Sequence, residues 1–250
     1  MRMNRFFRTM GPFVALAAMG ALASGCRDGN FRWSGDEGVP LAELDLGGDP
    51  PEGVALMGPD TVAITDGAQF TVTVEGEAAD RMRFRLEGGT LGIMREHGDW
   101  NDRGTATVRI TMPPPRKLVI AGSGRMTSER LAGEAEVSIA GSGELETPNV
   151  DASSLEVSIA GSGTYTAGGR ADRLELSIAG SGSGEMDKLK VERAEVNIAG
   201  SGDAVFASDG EVEANIMGSG DVIVRGSARC KVNSMGSGSL VCEREAEPAD

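Results

Sequence analysis

Aromatic side chains and histidine are scarce in this sequence. Only 4% of its 250 residues are aromatic, whereas 37 are glycine, and His97 is the single histidine. A compact globular enzyme usually contains more aromatic mass, and a thin repeating architecture of β-branched and small residues needs less. The sequence also lacks a phosphate loop, a zinc-ligand spacing and a nucleophile elbow. We therefore assign no catalytic residue.

Basic residues are also in the minority. Lys and Arg number 24 against 38 Asp and Glu, which gives a formal net charge of -14, and loss of the three N-terminal arginines brings the mature chain to -17. Such a surface repels nucleic acid and bare anionic lipid, so we expect no nucleic-acid partner. It tolerates cations or basic partners, and it also keeps an exposed β protein soluble.

The first 25 residues are predicted to be a signal peptide. Three arginines lie among the first eight residues, and the apolar stretch Gly11–Ala23 follows them. Its 13 residues are too few to span a bilayer as a helix but match the apolar core of an export signal. The chain is therefore expected to leave the cytoplasm.

The signal ends in Leu22-Ala23-Ser24-Gly25-Cys26, which resembles the lipobox of bacterial lipoproteins. The resemblance implies cleavage before Cys26, a lipid on Cys26 and anchoring to a membrane. Arg27, instead of Asp, favours the outer membrane, facing the periplasm or the cell surface. Because Ala23 stands where the family usually has Leu, ordinary secretion with Cys26 as a free thiol stays an alternative. Residues 26–43 are predicted to form a flexible tether.

A repeated pentapeptide dominates the rest of the chain. Its steps of 18–20 residues indicate a solenoid. Apolar and polar residues alternate before each repeat, which indicates a strand with one buried face. A leucine-rich repeat would need a helix or its Leu/Asn framework, and antiparallel hairpins would seldom place one pentapeptide identically in every coil. The repeats, Ile-Ala-Gly-Ser-Gly and its variants, begin at Ile120, Ile139, Ile159, Ile178, Ile198, Ile216 and Ser234.

The predicted fold is therefore all-β, a right-handed parallel β-helix with coils of 18–20 residues. It spans residues 44–242, with irregular coils over 44–117 and regular Gly-Ser-Gly coils over 118–242, and an acidic tail follows over 243–250. The glycines are expected to supply positive φ at a tight corner. The serine hydroxyl is expected to satisfy a corner amide or a stacked neighbour instead of acting as a nucleophile.

The motif Ile110-Thr111-Met112-Pro113, followed by the repeated Ile-Ala-Gly-Ser-Gly, is similar to the head GIN domain family of autotransporter adhesin-like proteins. The resemblance covers about residues 44–242. It implies a right-handed β-helix and brings no catalytic motif to transfer.

One outward position of the predicted coils carries a carboxylate in five successive repeats. Parallel strands stack about 4.8 Å apart, so these carboxylates repel each other by roughly 1 kcal/mol in water unless something compensates. With the Ser and Asn residues beside them, they could bind divalent cations or a sugar polymer. The alternative is a solvated face that discourages lateral β association. The five residues are Glu136, Glu156, Glu175, Glu195 and Glu213, with Lys231 at the sixth coil.

Cys230 and Cys242 are predicted to face the core of the last coil. In an oxidising compartment we expect a disulfide between them. Two thiols without a nearby histidine are a poor metal site.

These features favour a non-enzymatic binding or adhesion module of the cell envelope. Its expected partners are the membrane, through the lipid anchor, and a polysaccharide or a surface protein, with no cofactor other than a possible divalent cation. One alternative is a glycan-degrading lyase or hydrolase, with a site built in the polar excursion 95–103 from Arg95, Asp99, Asp102 and Arg103. Another is a passive structural protein.

Overall fold

Alternation of apolar and polar residues produces strands along almost the whole described chain. The computed structural model describes residues 38–96 and 104–243; the signal peptide, Cys26, residues 97–103 and residues 244–250 lie outside these ranges. Two short 3-10 helices are present, Leu41–Glu43 before the first strand and Ala79–Arg81 between the third and fourth strands. Within the described ranges, no helix has the length and apolarity to cross a bilayer. The strands are β1 Gly53–Met57, β2 Thr61–Asp66, β3 Thr71–Gly76, β4 Met82–Glu87, β5 Thr90–Arg95, β6 Ala106–Met112, β7 Lys117–Gly122, β8 Arg125–Ser128, β9 Arg130–Gly141, β10 Glu144–Gly161, β11 Thr164–Gly180, β12 Ser183–Gly200, β13 Asp203–Gly218, β14 Asp221–Arg225, β15 Arg229–Gly236 and β16 Ser239–Glu243.

From β7 onward the chain winds as a parallel β-solenoid. Like residues stack on like: Ile159 pairs in register with Ile139 on one side and with Ile178 on the other. We call the strand segments that end at the Gly-Ser-Gly corners the front wall, and those that begin after the corners the rear wall. The predicted all-β solenoid is confirmed.

The Gly-Ser-Gly corners are tight because the backbone of each corner lies directly against the backbone of the corner in the preceding coil. The first glycine of each corner has a positive φ, for example 121° at Gly161, and a Cβ there would collide with the carbonyl oxygen of Gly141. The Ser162 amide donates to that same carbonyl oxygen at 2.9 Å. The recurring corner bond is thus made by the serine backbone, because the serine side chains point to solvent. The expectation that the hydroxyl makes this bond was wrong.

The core is a stack of inward-facing side chains between the walls. Leu155, Val157 and Ile159 of one coil are buried against their counterparts in the coils above and below. Each such aliphatic side chain contributes about 1.5–3 kcal/mol through burial. Tyr165 and Thr147 are buried together in the rear wall, and their hydroxyl oxygens lie 2.6 Å apart in a hydrogen bond, so neither polar group is left unsatisfied.

The N-terminal strands do not stack in chain order. β1 lies between β5 and β7, and β2 lies between β6 and β8. The strands β3 to β6 therefore return to the far side of the first coil, where β4 pairs with β5 and β3 with β6 in antiparallel directions. This arrangement differs from the expected succession of irregular coils. Alternation defines which face of a strand is buried, but it specifies neither direction nor neighbours.

Part of the predicted tether belongs to the folded body. Val39 forms an antiparallel bridge with Phe84, with both backbone hydrogen bonds at 2.8 Å. Leu41 and Leu44 pack against the core. The compact unit that contains the solenoid begins at Glu37, earlier than the expected boundary at residue 44.

At the C-terminal end the predicted disulfide is present. It joins Cys230 of β15 in the front wall to Cys242 of β16 in the rear wall, with their Cα atoms 6.7 Å apart. Since each wall contributes one cysteine, the bond crosses the interior of the last coil.

Candidate binding face

Three outward columns run side by side along the front wall. They arise because residues two apart on a strand share a face and because the coils stack in register. We name them the carboxylate column, the amide column and the Ala/Met column. The carboxylate column contains the five predicted residues Glu136, Glu156, Glu175, Glu195 and Glu213; the amide column contains Ser138, Ser158, Ser177, Asn197, Asn215 and Asn233; the Ala/Met column contains Ala140, Ala160, Ala179, Ala199, Met217 and Met235.

Lysines cap the carboxylate column at both ends. Lys117 Nζ lies 2.9 Å from Glu136 Oε2, and Lys231 Nζ lies 2.7 Å from Glu213 Oε1. The position of Lys231 in this column was predicted, whereas Lys117 was missed. The signal was present: Lys117 stands three residues before Ile120, as Glu136 stands three before Ile139.

In the middle of the carboxylate column, the negative charge is less well compensated by basic side chains. Glu195 lies 3.6 Å from Arg173, but Glu156 and Glu175 form no ion pair with any described residue. Partial burial and the neighbouring carboxylates Glu175 and Glu136 raise the pKa of Glu156. The hydrogen bond from Lys231 lowers the pKa of Glu213. Negative charge is therefore disfavoured at Glu156 and favoured at Glu213.

The stacked carboxylates form a line, and they do not converge on a point. Among the described residues, no group of three or more His, Cys, Asp or Glu side chains is arranged to hold a metal ion. A divalent cation needs several oxygen ligands about 2.0–2.6 Å from one centre. The described carboxylates of this column do not form such a centre.

The three asparagines of the amide column are hydrogen-bonded to one another along the column. Asn215 Nδ2 donates to Asn197 Oδ1 at 3.0 Å, and Asn233 Nδ2 donates to Asn215 Oδ1 at 2.9 Å. Each amide in this series keeps hydrogen-bonding capacity toward solvent, because a primary amide has two N–H donors and two acceptor lone pairs. The result is a row of fixed donors and acceptors, one per coil.

A shallow groove of about 740 Å³ lies over the amide and Ala/Met columns. It extends across five coils, from Ser158 and Ala160 to Asn233 and Met235. Methionine replaces alanine at its C-terminal end, where Met217 is 58% exposed and Met235 is 75% exposed. The groove thus has one polar side and one apolar side along its whole length. Sequence reasoning had identified the polar column but not the apolar one.

The excursion considered as an enzyme site begins with a side chain that is already engaged. Arg95 is buried, and its Nε and Nη2 atoms donate to the two carboxylate oxygens of Asp60 at 2.8 and 2.7 Å. Nη2 also donates to the Gly104 carbonyl at 2.6 Å. Arg95 thereby fastens the two ends of the excursion to the first coil. Asp99, Asp102 and Arg103 lie outside the described residues.

Asp60 was not singled out from the sequence. It follows Met57-Gly58-Pro59, which takes the place of Ala-Gly-Ser in the first coil, and Gly58 donates to the Ala121 carbonyl at 2.9 Å. Asp60 thus stands where later coils have the second corner glycine. The sequence signal that could have identified Asp60 is a carboxylate at a position where the later coils have a buried glycine.

These features define a class: a parallel β-solenoid whose exposed face consists of in-register columns. The sequence matches, over residues 50–228, the family described as "Putative auto-transporter adhesin, head GIN domain". The chain belongs to this family, as the resemblance had indicated. No curated protein matches the sequence at a significant level.

Solved structures share the fold. A "putative adhesin" from Bacteroides fragilis aligns with a TM-score of 0.69 and 17% identity, covering 78% of this chain and 93% of that chain. A "putative lipid binding protein" from Parabacteroides distasonis aligns with a TM-score of 0.63 and 23% identity, covering 78% of this chain and 94% of that chain. At these identities the similarity establishes the fold alone.

Proposed function

We propose that the protein is a non-enzymatic adhesion module of the cell envelope that binds an extended polysaccharide along the front-wall groove. In this proposal the chain is held at the outer membrane through a lipid on Cys26. The observation that carries the proposal is the register of the amide and Ala/Met columns over five coils. The family's description as an adhesin supports the proposed adhesion role.

A polysaccharide suits the two sides of the groove. Sugar rings present hydroxyl groups at their edges and C–H groups on their faces. The Asn197–Asn215–Asn233 amides offer donors and acceptors to hydroxyls, and the Ala/Met column offers apolar surface to ring faces. Amides spaced by one coil, about 4.8 Å, can contact successive units of a chain that runs along the solenoid.

The test is direct binding of residues 27–250 to a panel of neutral and charged polysaccharides, measured by calorimetry. We expect saturable binding to at least one polymer. Ala179→Trp, which fills the groove, and Met217→Glu, which places a charge on its apolar side, should each weaken binding at least tenfold. Ile223→Glu is the matched control, because Ile223 is an exposed apolar residue of β14 in the rear wall. Equal losses in Met217→Glu and Ile223→Glu would contradict the proposal.

The same samples distinguish the competing functions. A glycan-degrading enzyme would shorten the bound polymer, which size analysis after incubation detects. A passive structural protein would bind none of the panel. A lipid ligand is suggested by the name of one structural relative and by the exposed Met217 and Met235. A lipid would bind independently of the amides, so Asn215→Ala would leave the affinity for the lipid unchanged.

A further inference from the structure

The two ends of the solenoid are built differently. At the N-terminal end the edge strands of the two walls, β3 and β4, run antiparallel to their neighbours β6 and β5. At the C-terminal end β15 pairs only with β13, and β16 pairs only with β14, within the described residues. Each therefore presents an unpaired backbone edge, eight residues long in β15 and five residues long in β16.

Apolar side chains are exposed at this open end. Val232 is 45% exposed, although the residues in the same inward position of the two preceding coils, Ala214 and Val196, are fully buried. Val241 and Met235 are 44% and 75% exposed. Val232 is exposed because no described coil covers the last one, whereas Met235 and Val241 occupy outward positions, as Met217 and Ile223 do in the preceding coil. An unpaired edge beside exposed apolar residues is a surface suited to β pairing with another chain.

We infer that the open end binds a second copy of this chain, forming a two-fold dimer in which β15 pairs antiparallel with its counterpart. The two ends differ in strand direction, because the edge strands β3 and β4 run antiparallel to β6 and β5. Head-to-tail stacking would therefore place β15 against a reversed edge strand and would not continue the parallel coil. Head-to-head pairing uses the same surface of both copies, and it stops at two copies instead of growing into a fibre.

Charge does not oppose this pairing. Lys231 replaces the glutamate of the carboxylate column at the last coil, and it is neutralised within its own chain by Glu213 at 2.7 Å. Arg229 is neutralised in the same way by Glu211 at 3.0 Å. If the two β15 strands are centred on Asn233, Lys231 lies opposite the partner's Met235, and Arg229 lies opposite the partner's Ser237. No like charges then face each other across the junction.

Residues 244–250 are the competing occupant. Their sequence, Arg-Glu-Ala-Glu-Pro-Ala-Asp, contains a proline without an N–H donor and no apolar side chain larger than proline. Such a segment is poorly suited to pair with β15 or to cover Val232. A second copy provides both a matching edge and matching apolar side chains.

The first test is sedimentation equilibrium of residues 27–250, which include the whole compact unit from Glu37. We expect twice the monomer mass, reduced to the monomer mass by Val232→Glu. Leu86→Glu is the matched control, because Leu86 is 38% exposed on β4 at the N-terminal end, and its dimer should persist. Removal of residues 244–250 should leave the dimer intact. A monomeric full-length body, whether or not the truncated chain dimerises, would overturn the inference.

A cross-linking test does not depend on the fold tolerating a buried charge. Under mild oxidation Asn233→Cys should form a covalent dimer, since the two-fold axis brings the two copies of this position together. Asn197→Cys, which lies two coils further inside the same column, should not cross-link. Absence of cross-linking in Asn233→Cys, or equal cross-linking in both variants, would overturn the proposed pairing.

Discussion

Asp60 and Arg95, which are 35 residues apart in the chain, form a buried two-point ion pair. The carboxylate of Asp60 also accepts a hydrogen bond from the Ala106 amide at 2.8 Å, on the far side of the excursion. One carboxylate thus ties together β1–β2, β5 and the start of β6. In a solenoid, where coils contact only their neighbours, such a cross-connection is needed most where the chain departs from stacking order.

Asp60→Asn should strongly destabilise the protein. The substitution removes the carboxylate charge that the buried Arg95 guanidinium contacts at two points, and breaking a buried pair in this way typically costs about 3–5 kcal/mol. Urea unfolding followed by circular dichroism measures the loss. Glu75→Gln is the control, because Glu75 and Arg109 form an exposed pair at 3.8 Å, which contributes at most about 1 kcal/mol. Similar effects of both substitutions would mean that the Asp60–Arg95 pair is not a structural tie.

Glu156→Gln should stabilise the protein at pH 7. Its pKa is raised above the ordinary value of 4.5, so the folded state binds the proton more tightly than the unfolded state. The associated stability is fully present below about pH 4.5 and is lost as the pH rises through the raised pKa. Removal of the charge should therefore increase the melting temperature at pH 7 by about 1–3 °C.

The stabilising effect of Glu156→Gln should shrink as the pH falls toward 4.5, because the wild-type carboxyl then becomes neutral. Glu213→Gln is the opposite control: its pKa is lowered by Lys231, so its charge stabilises the fold above pH 4.5, and its removal should lower the melting temperature at pH 7. If calcium raises the melting temperature of the wild type but not of Glu156→Gln, the carboxylate column binds cations in spite of its linear geometry.

Gly161→Ala should disrupt the stack. Gly161 has φ of 121°, a conformation that costs other residues about 1–3 kcal/mol, and the new Cβ would press on the Gly141 carbonyl that accepts the corner hydrogen bond. We expect the loss of folding stability, measured by thermal unfolding, to exceed the backbone cost alone. Gly48→Ala provides the comparison, since no atom lies within 4 Å of a Cβ at that position. A small effect at Gly161 would mean that the coils can separate locally.

Replacement of both Cys230 and Cys242 by serine should loosen the last coil selectively. Closing a loop of about 13 residues contributes about 3 kcal/mol in the chain-entropy account. Hydrogen exchange should become faster in β15 and β16 but not in β10 and β11, because nearest-neighbour contacts confine the change. Reduction of the wild-type protein should give the same pattern. Uniformly faster exchange would show that the disulfide supports the whole stack.

The regular coils were predictable because the sequence features that specify them lie within one coil or between adjacent coils. Period-two alternation identifies the buried face, and identical pentapeptides can coincide in space only if coils of 18–20 residues stack in register. The position of Glu136, Glu156, Glu175, Glu195 and Glu213 in one column follows directly from these two features. Lys117 obeys the same offset, so its omission was a failure to extend the pattern by one coil.

The irregular coils were not predictable in the same way. Val54 pairs with both Leu91 and Leu118, residues that are 37 and 64 positions away, and nothing in the local pattern selects these partners. Strand alternation is equally compatible with parallel and antiparallel neighbours. The reversed strands β3 and β4 are therefore a product of packing the returning chain over the open side of the first coil.

The sequence by itself determined the repeat, the buried and exposed faces of each regular strand and the pairing of the two late cysteines, since all three depend on short-range periodicity. Tertiary structure alone decided that the amide and Ala/Met columns share one groove, that Asp60 meets Arg95, and that the solenoid ends in antiparallel strands on one side and in parallel strands on the other. These features depend on which segments become neighbours across many residues, and that choice is made by the packing free energy of the whole domain.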